Sequence, residues 1–304
     1  QANKALFALL KKAQSLQLPY DIQLDLFDKT IKPILLYGAE VWGYGDCTVL
    51  ERIHLKFLKY IFKLKKSTPS YMIYGELGIF PITIDIHFRL ISFWCKLVEN
   101  LNTDILEPKL SSLFYSMLYH KQQNNEIQSG WLSNVKSIVC SLGYSGIWDN
   151  QSINNSKWLI ATLKQKLKDQ YIQKWYALTN NNTNYRLFKD EFKLSGYFNI
   201  LPDKTCRNFL AFRTRNHRLP VETGRWLSVP LNDRKCLMCN SDIGDEYHYI
   251  MNCSYYQNAR KQYIKPYFYR HPNVLKYHSL MNTKNVKQLK DLCKFIDMIR
   301  KEVS

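Results

Sequence analysis

Twenty residues near the end of the chain, RKCLMCNSDIGDEYHYIMNC from Arg234 to Cys253, constrain its fold more than any other stretch. Cys236-x2-Cys239 puts two thiols on one tight turn, where they can present two sulfurs to a single tetrahedral ion. His248-x4-Cys253 adds a nitrogen and a third sulfur at a helix-compatible spacing. Eight residues separate the two pairs, enough for the chain to return, and Asn240, Asp242 and Gly244 supply turn formers there. The competing reading is that these are small buried hydrophobes, since free cysteine is often buried. Three of the chain's eight cysteines fall in this window with paired spacing, which favours the metal. A Cys3His set fills four positions and leaves none open, so a structural zinc is expected. Cys206 and His217 could substitute for a ligand, but neither is needed. A Cys/His hydrolase would need a lone cysteine beside a free base, which the paired spacing does not offer.

The charge points to the same region. Of a formal net charge of +18, residues 201–304 supply +10, with 19 Lys and Arg against 9 Asp and Glu. Solubility needs no such asymmetry; a polyanionic partner does. No run of about 18 apolar residues is long enough for a membrane span, and no basic segment is flanked by a long apolar face. With no signal peptide visible, the cysteines are expected as thiols or metal ligands in a reducing compartment. The chain opens at Gln1 in an already helical pattern, which reads as an internal start.

The apolar spacing is helical through most of the chain. Leu6, Leu9, Leu10, Ala13 and Leu16 form one stripe, ended by Pro19. A second helix is expected from Asp21 as N-cap towards Pro33. After Asp46, the apolar stripe Leu50, Ile53, Phe57, Tyr60, Ile61, Leu64 runs beside a basic one: Arg52, Lys56, Lys59, Lys63, Lys66. Five like charges on one helical face repel by about 0.2–0.5 kcal/mol per neighbouring pair, which a phosphate backbone would offset; a solvated lysine face is the plainer alternative. ITIDIHFRLISFWCKLVENL is apolar nearly all round and predicts a buried helix, with His87 in the core or at its rim. Residues 121–130, 150–156 and 179–184 read as polar loops.

Beyond Pro202 a helix is expected with Asp203 as N-cap and Cys206, Phe209 and Leu210 inward. Arg213 falls on that apolar stripe, where a guanidinium needs a partner; Glu222 is the candidate. Arg207 and Arg215 lie on another face, with the small Ala211 between them, where they could grip phosphate or simply be exposed. A final helix turns Leu289, Leu292, Cys293, Ile296 and Ile299 inward.

In order along the chain, KALFALLKKAQSLQLPYDIQLDLFDKTIKPILLYGAEVWG, ERIHLKFLKYIFKLKKSTPSYMIYGELGIFPI and YRLFKDEF…RNFLAFRTRNHRLPVETGRW…RKCLMC…GDEYHYIMNCSYY resemble the C-terminal part of non-LTR (LINE-type) retrotransposon reverse transcriptases. The resemblance implies a thumb region, the segment after it, and an ending with a zinc knuckle, with its weakest cover at about residues 102–180. It implies service to RNA-templated DNA synthesis at a nicked target, in the nucleus, beside the palm and fingers of the same polypeptide. The parent protein that the resemblance implies would be an RNA-directed DNA polymerase, of a kind that usually carries an endonuclease too. Polymerase chemistry needs paired palm aspartates holding two magnesium ions. This sequence has no Asp-Asp pair, so the isolated chain is expected to be inactive, with no catalytic residues and no magnesium of its own.

By the same resemblance, Arg52, Lys56, Lys59, Lys63 and Lys66 would track the template–primer backbone. Arg213, Arg215, His217, Arg218 and Arg225 would contact RNA template or target DNA, with Arg207, Arg234 and Lys235 adding charge. The eight-residue gap before His248 is longer than in the short retroviral-type knuckle, so base-gripping of that kind is not expected. The expected fold class is mainly α: a thumb-like helical segment (1–66), a helical connector (67–195) and a basic C-terminal unit with the zinc knuckle (196–304). Two rival readings are a stand-alone zinc-dependent nucleic-acid-binding protein and a structural protein that zinc only staples.

Overall fold

The computed structural model describes residues 1–102, 109–153, 155–181 and 183–303. Asn154 and Asn182, inside two of the expected loops, lie outside the described residues. Among the described residues the chain is helical, with two isolated β-bridges and no strand. This is the mainly α class that the periodicity predicts. No single described helix is long and apolar enough to cross a membrane.

The chain forms two compact units: Gln1–Leu55 with Phe80–Lys174, and Lys56–Ile79 with Trp175–Ser304. Both are discontinuous and cut across the three consecutive segments expected from the sequence. The first unit is built around the Ile82–Asn102 helix, whose Ile86, Leu90, Trp94 and Val98 are buried as its all-round apolar pattern requires. Trp94 stacks on Trp148 (5.6 Å between ring centres), and its indole N–H donates to the Tyr115 hydroxyl at 2.9 Å. The expected helix from Asp21 starts at Tyr20, after Pro19. It widens into a π-turn at Phe27–Ile31, and Pro33 then falls in the first turn of Lys32–Leu35. There its missing N–H needs no partner, so the proline is absorbed instead of ending the segment.

The second unit contains the candidate site. Its Ser70–Leu77 helix ends at Gly78, which adopts φ +63°. A Cβ there would lie 2.5 Å from the backbone nitrogen of Leu194, so only glycine lets the two chains pass. They are joined by the Leu77–Leu194 bridge and by the Ser195 N–H donating to the Glu76 carbonyl (2.9 Å). The Asp203–Arg213 helix has Pro202, not Asp203, at its N-cap. The final helix, Val286–Glu302, buries all five residues expected of it.

Arg213 has a partner, but it is Glu76 and not Glu222. Both side chains are 0% exposed, and Arg213 Nε donates to the two Glu76 oxygens at 3.1 Å each. Arg213 Nη1 donates to the Met281 carbonyl (3.0 Å) and Nη2 to that of Phe188 (3.2 Å), while its plane lies over the Phe188 ring. Glu76 also accepts from the Ser195 and Tyr197 hydroxyls. Burial pushes its carboxyl pKa up, but Arg213 and Lys189 more than offset this and hold it below the usual range. A buried pair so fully hydrogen-bonded meets the condition under which buried charge is tolerated.

Candidate metal centre

Cys236 and Cys239 sit on a small hairpin. The Cys236 N–H donates to the Asp242 carbonyl and the Gly244 N–H to that of Arg234, around the Lys235–Ile243 bridge. Asn240 closes the turn in the left-handed region (φ +55°), its N–H donating to the Cys236 carbonyl. Gly244 has Pro220 and the Cys236 backbone so close that a Cβ would meet them at 2.8 and 3.0 Å. The other two ligands bracket a π-turn, His248–Asn252, closed by the Cys253 N–H donating to the His248 carbonyl (2.8 Å). In a regular α-helix, positions five apart point about 140° away from each other. The wider turn brings the two ligands to the same side.

The four ligand atoms lie within 4.8 Å of one another. Cys236 Sγ is 3.7 Å from Cys253 Sγ, and Cys239 Sγ is 3.2 Å from His248 Nε2. A tetrahedral ion with metal–sulfur bonds of about 2.3 Å and a metal–nitrogen bond of about 2.0 Å needs sulfur–sulfur edges of about 3.8 Å and sulfur–nitrogen edges of about 3.5 Å. The cluster fits such an ion, with His248 Nε2 as the nitrogen donor. Cys236, His248 and Cys253 are buried and Cys239 is half-buried. Burial pushes the Cys253 thiol up to about 12. At Cys239 burial acts the same way, but hydrogen bonds from Ser241 outweigh it and bring the thiol down to about 6. A bound cation would take both as thiolates, releasing protons as it enters.

Two residues that sequence reasoning missed hold the cluster in shape. The buried Arg260 donates from Nε to the Ile250 carbonyl (2.7 Å) and from Nη2 to the Cys253 carbonyl (2.9 Å), satisfying carbonyls at the end of the π-turn. Tyr249 accepts from the Leu237 N–H, inside the Cys-x2-Cys turn. Neither residue has a ligand type or a spacing that would mark it in the sequence.

The structure separates the basic residues expected to meet nucleic acid. Arg213 is withdrawn, because it is enclosed by its partners. His217 is withdrawn too: it is buried, with Nδ1 accepting from the Leu219 N–H and Nε2 donating to Glu246 at 2.8 Å. It takes no part in the cysteine cluster, and neither does Cys206. Burial works to raise the Glu246 carboxyl pKa, but His217 and Arg215 hold it at about 2. Arg215 and Arg225 both pair with the buried Glu222, each at 2.7 Å. Arg234 donates inward to the Val229 and Val221 carbonyls. Arg207 is half-buried near Asp203. Arg218, Arg225 and Lys235 are exposed.

The basic stripe is shorter than expected. The helix Thr48–Ile61 carries only Arg52, Lys56 and Lys59. It ends with Lys63 in the left-handed region (φ +53°) and the Leu64 N–H donating to the Lys59 carbonyl, the geometry of a Schellman cap. Lys66 lies beyond it, its carbonyl accepting from Lys59 Nζ.

No protein-family model, no curated protein and no solved structure matches the chain.

Proposed function

We propose that the chain is a zinc-stapled, helical nucleic-acid-binding segment, the C-terminal part of a non-LTR retrotransposon reverse transcriptase. The observation that carries the reading is the Cys236, Cys239, His248, Cys253 cluster, a closed donor set in the most basic third of the chain. Zinc is the ion of choice because three thiolates and an imidazole suit its tetrahedral preference. The polymerase origin rests on the sequence resemblance alone. In this reading RNA template and target DNA are the partners, the palm and fingers belong to the same polypeptide, and the nucleus is the compartment. The contacts fall to the exposed cations Arg52, Lys56, Lys63, Lys66, Arg218, Arg225 and Lys235.

The rival with specific support is the structural one. Arg213, His217 and Arg234 spend their hydrogen bonds inside the fold, so part of the apparent basic surface is internal. Binding of single-stranded RNA and of nicked duplex DNA, measured against salt, separates the two. Phosphate contacts make log K fall steeply and linearly with log salt, by roughly 0.7–0.9 per phosphate neutralised. No affinity at low salt leaves only the staple. The purified chain is also expected to show no template-dependent nucleotide incorporation; measurable incorporation contradicts the missing aspartate pair.

A further inference from the structure

A small pocket in the second unit, which shares no lining residue with the metal cluster, brings Lys65, Ser67 and Thr68 against Arg215, Arg225 and Trp226. Its walls are tied by Asn216, whose Oδ1 accepts from the Lys65 N–H and the Thr68 hydroxyl at 2.8 Å each. The Asp203–Arg213 helix enters this wall through a Schellman cap. Arg215 takes the left-handed position (φ +62°) that glycine usually fills, and the Asn216 N–H donates to the Ala211 carbonyl.

The charges are unbalanced. Arg215 and Arg225 both pair with the buried Glu222, and Arg215 also approaches the buried Glu246 at 3.7 Å; that sets two carboxylates, neither of them lining the pocket, against Lys65, Arg215 and Arg225. Lys65 makes no ion pair among the described residues, and its ammonium sits 4.0 Å above the Trp226 ring. Partial burial, with the nearby Arg218, holds the Lys65 pKa below its usual range although Glu222 acts to raise it. Three cations and no carboxylate line the pocket. Its volume is about 30 Å³, roughly two water-sized spaces. That admits two oxygens of a tetrahedral anion and leaves the rest outside.

We propose that this pocket is a phosphate subsite, in which Lys65, Arg215 and Arg225 hold two oxygens of a phosphate group, with Trp226 as its side wall. The same chemistry serves a free phosphate and the phosphodiester of a nucleic-acid strand. The second source rests on the nucleic-acid reading above; the pocket itself does not.

The test is a titration of the metal-loaded chain with inorganic phosphate at constant ionic strength, followed by ¹⁵N NMR. The Trp226 indole signal is assigned with Trp226→Phe. Phosphate is expected to shift that signal and the Ser67 and Thr68 amides saturably, while chloride does not. Lys65→Gln, at an exposed side chain, is expected to weaken the effect about tenfold, the scale of one lost charge-assisted contact. In nucleic-acid binding it should flatten the salt slope by about one phosphate. Phosphate shifts without nucleic-acid binding would keep the subsite and sink the nucleic-acid reading. Nucleic-acid binding with no phosphate shift, or a shift that Lys65→Gln leaves unchanged, would overturn the subsite alone.

Discussion

Arg213 and Glu76 lie 137 positions apart, and their pairing joins the Ser70–Leu77 helix to the Asp203–Arg213 helix inside the second unit. Removing one partner leaves an uncompensated charge in a dry site. Arg213→Met is therefore expected to lower unfolding free energy by about 3–5 kcal/mol, read from urea denaturation; a loss below about 1 kcal/mol would mean that water reaches Glu76. His54, in the first unit, stacks on Phe27 and is held neutral by burial, which lowers its pKa to about 3. The ordinary histidine value is about 6.5. Between those two values the unfolded chain binds a proton there and the native chain does not, so stability is full above about pH 6.5 and falls as pH drops towards 3. From pH 7.5 to 5.0 the loss at this residue is about 2 kcal/mol. His54→Leu should remove that share of the pH dependence; identical slopes for variant and wild type would show that the site is hydrated. Arg213 was visible in the sequence as a charge on an apolar stripe, whereas His54 was not singled out. The partner of Arg213 was not legible, because a residue 137 positions away leaves no local pattern.

At the scale of elements, the helices were largely legible and their ends were not. Apolar spacing marked the buried faces of the 82–102 and 286–302 helices, since side-chain period follows backbone geometry directly. The stop at Ile61 escaped because the left-handed position after it is filled by lysine rather than glycine, so the basic stripe read on through a turn. Pro33 misled in the opposite sense, as a π-turn just before it leaves the helix intact. The four candidate ligands were legible because all of them fall within eighteen residues. Their support from Arg260 and from the π-turn was not, since a carbonyl acceptor and a widened turn have no residue signature. Gly78 gives a test at this scale. Gly78→Ala adds a left-handed penalty of about 1–2 kcal/mol and a collision with the Leu194 backbone. We expect a loss of about 2 kcal/mol or more in denaturant unfolding, and a neutral variant would mean that the 193–195 segment can move away.

For the whole molecule, the net charge of +18 sets the long-range field, but the structure decides which cations solvent can reach. Setting aside the buried Arg213 and His217 and the half-buried Lys59, Arg207, Arg215 and Arg234 leaves the exposed set already named, and the candidate metal cluster as the fixed point of the basic third. The central claim is that Cys236, Cys239, His248 and Cys253 bind one ion together. X-ray absorption at the zinc edge on the purified, zinc-loaded chain tests it directly. The account predicts one zinc per chain with three sulfurs at about 2.3 Å and one nitrogen at about 2.0 Å, and Cys253→Ser should reduce the sulfur count and weaken retention. A chain that retains no zinc, or one whose zinc shell contains oxygen and is indifferent to Cys253→Ser, would contradict it.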